Sequence, residues 1–310
     1  MQPLIDQLKD YKTAFSGIIG QSEAKRQIAS ALIAGRNLII SGPPGIGKTS
    51  IAKSVAKLLA PDGSAPFVRV QGSPDLTAED LIGDLDPQIA LEKGASAIEA
   101  FVPGKIFKAS GGVLFFDEIN RAPERLQNAL LQVLEERIVT VGTYEMDFDV
   151  DFVLIGTMNP KDTSTEKLSE VFLDRFDIIE MDYPGSVDEE QRIVDAVALR
   201  DHAELTDPMT ASIVTFVHEL RRRDEVLFGP SVRGTIGVAE RSRTHALLEG
   251  RDTVTWEDVR AVVGSVLGHR LVLKPSAGFE TAASDFVEHR FDVFSEEGFE
   301  AGEGVQGFRH

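Results

Sequence analysis

Short unbroken apolar runs alternate along the first half of the chain with stretches whose apolar positions recur every three or four residues. Leu38-Ile39-Ile40, Val113-Leu114-Phe115-Phe116 and Ile178-Ile179 are runs of the first kind. The first two read as buried strands, the second of them covered on both faces, and the third, with Met181, as a last strand. Phe67 to Gln71 and residues 151–157 read as two more strands. Helical spacing joins Ile28, Leu32 and Ile33, then Ile51, Val55, Leu58 and Leu59, then Leu126, Leu130, Val133 and Leu134,. Ser22 is the expected N-cap of the first of these helices and Pro123 opens the third. Such alternation predicts an α/β layer, a parallel sheet between helices. A further helix is expected over 168–176.

Two segments interrupt that rhythm. Residues 72–112 form a long excursion between strands, with a capping-box start at Thr77 and Asp80 and glycines at 83, 94 and 104. Its length points to function rather than to an inert loop. Residues 138–141 and 144–150 alternate about a turn at Gly142 and Thr143 and predict a hairpin. After Pro184-Gly185 the pattern becomes wholly helical, with one stripe through Ile213, Phe216, Val217 and Leu220 and another through Val259, Val262, Val263, Val266 and Leu267. Thr255 and Asp258 cap the helix bearing the latter stripe. The expected division is a core at 1–184, a small all-helical lid at 185–272, and an acidic tail at 273–310. The tail carries Phe279, Phe286, Phe291, Phe294 and Phe299 and reads as a loose terminus in preference to a docking segment.

Composition narrows the function. Fifty acidic against 32 basic residues leave a net charge of −18, which weighs against wholesale wrapping of nucleic acid. The absence of cysteine excludes disulfides, thiolate metal sites and cysteine nucleophiles. No apolar run approaches 18 residues and no basic, apolar leader is present, so a soluble cytoplasmic protein without a membrane span is expected. The six histidines are scattered and read as core or solvated residues.

The candidate chemistry begins at Gly42-Pro43-Pro44-Gly45-Ile46-Gly47-Lys48-Thr49. It follows an apolar strand, precedes a helix and matches the phosphate-loop pattern G-x-x-x-x-G-K-[ST]. The glycines let backbone N–H groups turn inward on a polyphosphate, and the helix adds its N-terminal amides and dipole. Lys48 suits the β- and γ-phosphates, and the Thr49 hydroxyl suits Mg²⁺. Asp117 and Glu118 emerge together at the end of an apolar strand, where ligands bind in open α/β sheets. Asp117 suits the second sphere of Mg²⁺, and Glu118 suits the attacking water. Asn159 ends a third strand and can reach the γ-phosphate or the water, although an Asn before Pro is also a common turn former.

Taken together, Ile-Ile-Gly-Gln (18–21), the phosphate loop, Phe-Asp-Glu-Ile-Asn-Arg-Ala-Pro (116–123), Gly-Thr-Met-Asn-Pro (156–160), Leu-Asp-Arg-Phe (173–176), Gly-Pro-Ser-Val-Arg (229–233) and Gly-His-Arg-Leu (268–271) make the chain resemble the AAA+ ATPases. The resemblance is to the MoxR branch, related to the magnesium-chelatase ATPase subunit, and runs from about Ile18 to Leu271. It implies a P-loop NTPase core with a helical lid, and Mg²⁺-dependent ATP hydrolysis. ATP contacts would come from Gly42 to Thr49, Ser50, Ile19 and Gly20, and Mg²⁺ contacts from Thr49 and Asp117. It makes Glu118 catalytic, Asn159 sensor 1, Arg233 sensor 2, and Arg175 an arginine finger acting in trans. Without the family, Arg175 reads as a helix-end salt bridge. Residues 72–112 would hold the helix-2 insert and 138–150 the hairpin before sensor 1. Val232 stands where relatives usually carry Pro. The implied partners are further copies of the chain in a hexameric ring, a von Willebrand factor A-type protein, and a client that is remodelled or loaded with metal or cofactor. Two other classes compete with this reading: a DNA-acting AAA+ motor, against which the charge counts, and a nucleotide-sensing scaffold, against which Glu118, Asn159 and Arg175 count.

Overall fold

A computed structural model describes residues 2–60, 62–94, 97–141, 146–160, 168–278 and 281–300. The chain divides into two compact units, Met1–Asp182 and Tyr183–His310.

The first unit is built on a five-stranded sheet. In chain order its strands are β1 (Asn37–Ser41), β2 (Phe67–Gln71), β3 (Val113–Asp117), β4 (Val153–Met158) and β5 (Phe176–Glu180). Their spatial order is β2-β3-β4-β1-β5, and every neighbouring pair is parallel. The apolar runs explain this: Leu38, Ile39, Ile40 and Val113 to Phe116 are fully buried, as strands covered by helices must be,. The main helices of this unit are α1 (Ser22–Ile33), α2 (Lys48–Leu59) and α3 (Glu124–Glu136). Leu126, Leu130, Val133 and Leu134 of α3 enter the same core as Leu114, Phe116 and Ile119. Register sets the function-bearing edge. Gln71 pairs with Asp117, Phe116 with Gly156, Ser41 with Met158, and Ser41 with Glu180. The C-terminal ends of all five strands therefore line one edge of the sheet.

The segment 72–112 contains the expected capping box at Thr77 and Asp80. It also folds an antiparallel pair, Gly83–Leu85 with Phe101–Pro103. Ile138–Val141 pairs antiparallel with Met146–Asp149, while the expected turn at Gly142 and Thr143 lies outside the described residues. Two local expectations are corrected. Gln21, at φ 55°, is the N-cap of α1 and Ser22 its first helical residue. Over 168–176 only Glu170–Leu173 is helical, because Ser169 caps its first turn and the chain must extend into β5 by Phe176.

The second unit contains α4 (Val187–Val197), α5 (Asp207–Arg222), α6 (Val232–Leu248), α7 (Trp256–Leu267) and α8 (Ala283–Glu300). It is not wholly helical: Val226–Phe228 pairs antiparallel with Val272–Leu273. Nor is the end of the chain loose through α8. Val287 and Phe291 are buried in the same core as Phe216, Val217, Val259 and Val263, and the Phe216 and Phe291 rings meet edge-on at 5.2 Å. Arg260 on α7 fixes this packing from outside, with its Nε 2.5 Å from Asp292 and Nη1 3.0 Å from Glu288. Phe279 and residues 301–310 lie outside the described residues.

Candidate active site

The loop between β1 and α2 takes its shape from its glycines. Gly45 and Gly47 have φ of 73° and 97°, in the left-handed region that a side chain disfavours,. At Gly42 a Cβ would lie 2.1 Å from the Met181 carbonyl oxygen, so the loop can approach the end of β5 only as glycine. The Gly42 N–H donates to the Met158 carbonyl at 3.1 Å, which ties the loop to the tip of β4. α2 begins at Lys48, so its N-terminal amides and positive dipole end face the loop,. Lys48 Nζ donates to the carbonyls of Gly42, of Pro43 at 3.0 Å and of Met158 at 3.4 Å. Thr49 is half-buried in the first turn and Ser50 exposed. Ile19 and Gly20 are brought alongside. Lys25 Nζ holds the Ile18 carbonyl, and Gln21 Nε2 donates to the Asp182 carbonyl at 2.6 Å, one residue beyond Met181.

At the tip of β3 one hydroxyl on the neighbouring strand holds both the Asp117 carboxylate and the Glu118 backbone. Thr157, 1 % exposed, donates to Asp117 Oδ1 at 2.6 Å and accepts the Glu118 N–H at 3.0 Å. Glu118 has φ 55°, a strained conformation for a non-glycine residue and one common at functional sites,. β2 supplies the other restraints. Arg69 Nη2 lies 2.6 Å from Asp117 Oδ2, and Gln71 Nε2 donates to Glu118 Oε2 at 3.0 Å, with Arg121 3.2 Å from the same oxygen. Gly72 leaves room for this crossing, since a Cβ there would sit 2.0 Å from the Glu118 carbonyl oxygen. Among the described residues no three His, Cys, Asp or Glu side chains are grouped to hold a metal ion. In nucleotide sites Mg²⁺ takes a hydroxyl, one carboxylate, waters and substrate phosphates. Thr49 and Asp117 fit that donor set.

The structure thus gathers the loop, Lys48, Asp117, Glu118 and Asn159, which directly follows β4, at one edge of the sheet. Arg175 stands elsewhere. It directly precedes β5, whose first residue, Phe176, pairs with Asn37 at the start of β1. Gly42 follows the far end of that strand, roughly 20 Å away at about 3.3 Å per residue. Arg175 Nη2 is 2.5 Å from Glu135 and Nη1 donates to the Val171 carbonyl at 2.7 Å. Arg233 belongs to the second unit. It is exposed in the first turn of α6, and its side chain makes no hydrogen bond or ion pair to the described residues. Sequence alone does not single out Thr157, Arg69, Gln71, Gly72 or Glu135. The available signals are the threonine inside Gly-Thr-Met-Asn-Pro and the polar residues two apart on β2.

Residues 37–176 match the family model described as the AAA domain of the dynein-related subfamily, and residues 218–289 match the AAA lid domain. YeaC of Bacillus subtilis, an uncharacterised protein, is 31 % identical over 287 residues, covering 83 % of this chain and 85 % of that one. The chaperone MoxR1 of Mycobacterium tuberculosis is 28 % identical over 304 residues, covering 88 % and 77 %. Among solved structures, a point mutant of Thermotoga maritima RuvB shares the fold, with a TM-score of 0.55 and 22 % identity over 80 % of this chain and 70 % of that one. Phosphate loop, parallel sheet, helical second unit and these likenesses lead to one conclusion: the chain belongs to the AAA+ ATPases, in their MoxR-like branch, and hydrolyses ATP.

Proposed function

We propose that the protein is a Mg²⁺-dependent remodelling ATPase whose hydrolytic site is completed by a neighbouring copy. The observation that carries this is the separation described above, with the acids, Lys48 and Asn159 at one sheet edge and Arg175 at the other. Lys48 and the loop amides bind the β- and γ-phosphates, Thr49 and Asp117 hold Mg²⁺, and Glu118 orients and deprotonates water. Asn159 fixes that water or the γ-phosphate, and Arg233 senses the phosphate from the second unit. Arg175 cannot reach the loop of its own chain and serves the next one. The copies form a ring, taken as a hexamer, in the cytoplasm. No described helix is long and apolar enough to cross a membrane.

The client is a protein that is remodelled or receives a metal or cofactor, with a von Willebrand factor A-type partner. The name of the similar chaperone MoxR1 supports the remodelling reading. The net charge of −18 counts against a DNA-acting motor,. Glu118→Gln is the direct test: it should bind Mg-ATP with affinity near wild type while turnover falls at least about 100-fold. Turnover at the wild-type rate would remove Glu118 from the mechanism.

A further inference from the structure

Far along the chain from the hydrolytic loop, the second unit contains a fully buried glutamate held by four polar contacts. Glu190, on α4, is 0 % exposed. It accepts from Arg221 Nη1 at 2.6 Å and Nη2 at 2.9 Å, accepts the Thr235 hydroxyl, and faces His218 Nε2 at 2.8 Å. Burial alone would raise its carboxyl. The Arg221 hydrogen bonds and charge, then Thr235 and His218, overcome that and hold it below the usual glutamate range,. Arg221 uses its remaining edge on the turn before α6, donating from Nε to the Pro230 carbonyl at 2.7 Å. Its guanidinium lies 4.6 Å over the Tyr183 ring, and the Tyr183 hydroxyl donates to the Gly229 carbonyl at 3.4 Å. Gly229 is required for this closeness, because a Cβ would stand 2.6 Å from Arg221 Cγ.

These bonds converge on the turn and first residues of α6. Val232, Gly234 and Thr235 are buried there, and Arg233 between them is exposed. Apolar packing could bury the same surface at less desolvation cost, so a buried ion network of this kind is best understood as fixing one arrangement among several. Turning α6 by a single residue, about 100°, would carry Thr235 off Glu190 and swing Arg233 by the same angle. We propose that Glu190, Arg221 and Thr235 are positioning residues for Arg233, locking the rotation of α6 and so the direction in which that guanidinium leaves the second unit. The inference rests on reading Arg233 as the phosphate sensor and extends it to three residues that never touch nucleotide.

The test is steady-state Mg-ATP hydrolysis by the full chain carrying Thr235→Val, with Arg221→Lys as a second variant should the first fold poorly. Arg233→Ala is the reference. Asp258→Asn is the control, since it breaks another buried carboxylate network that grips the opposite end of α6 through His245. Thr235→Val should lower kcat/KM about five- to tenfold, divided between kcat and KM as in Arg233→Ala, and Thr235→Ser should restore it. In the Arg233→Ala background Thr235→Val should add less than about twofold. Asp258→Asn should lower the melting midpoint and leave kinetics unchanged below it. Wild-type kinetics in both folded brace variants, or a full additive loss in the Arg233→Ala background, overturns the positioning role. Wild-type kinetics in Arg233→Ala instead overturns the sensor reading, and the proposal with it.

Discussion

Thr157 has one hydroxyl and gives it two tasks, donating to Asp117 and accepting from the Glu118 backbone. Valine has nearly the same shape but would leave a part-buried carboxylate oxygen and a part-buried N–H without that partner, at a cost of up to about 1–3 kcal/mol each. The folded sheet can absorb this, because Leu114, Phe116 and Leu154 still bury the strands. The carboxylate geometry cannot. Thr157→Val should reduce kcat about tenfold or more while nucleotide affinity stays within about threefold, and Thr157→Ser should recover most of the loss. Equal turnover in the valine and wild-type proteins would leave the hydroxyl a purely structural part. The residues legible in the sequence were those whose chemistry is written in local spacing, such as Gly42 to Thr49 and Asp117-Glu118. Thr157, Arg69 and Gln71 were not, because each acts on a partner some 40 to 48 positions away. Only strand register tells which residues meet.

Most elements followed from periodicity, and the misreadings have physical causes. The pair Val226–Phe228 and Val272–Leu273 is too short for a period-two signal,. α8 was masked by its glycines and glutamates, although Val287, Phe291 and Phe294 already lie at helical spacing. The capping box of α7 was legible in full, yet its aspartate does more than cap. Asp258 is fully buried and bound by Arg251 through two nitrogens at 2.6 Å and by His245 Nδ1 at 2.6 Å. Burial alone would raise its carboxyl, and Arg251, His245 and Thr255 together drive it far below the aspartate range. A lowered value means the contribution to stability is present above about pH 4 and is lost as pH falls through the folded-state value. Asp258→Asn should therefore cost about 2–3 kcal/mol at pH 7. The difference from wild type should shrink as pH drops below about 4. Trp256, the chain's single tryptophan and the first residue of α7, reports the transition by fluorescence in urea melts at pH 7 and pH 3. A gap of constant size at both pH values would count against the ion network.

For the whole molecule, the decisive geometry is that β1 separates Gly42 from the level of Arg175. Mixing distinguishes action on the chain's own nucleotide from action on a neighbour's. Lys48→Ala offers an intact Arg175 but a poor phosphate site, and Arg175→Ala offers the reverse. Each alone should be reduced about 1,000-fold. Their equimolar mixture should regain a measurable fraction of wild-type turnover through interfaces that pair one good half with the other. No recovery in mixtures that still assemble would return Arg175 to its alternative role, a salt bridge with Glu135 at 2.5 Å.

On the proposed reading, a sheet that keeps its acids at one end and its arginine at the other makes the reacting centre a possession of two chains. Work per molecule should then climb with protein concentration and flatten once each copy has found a companion. Uptake of nucleotide, which needs only one end, should ignore dilution altogether.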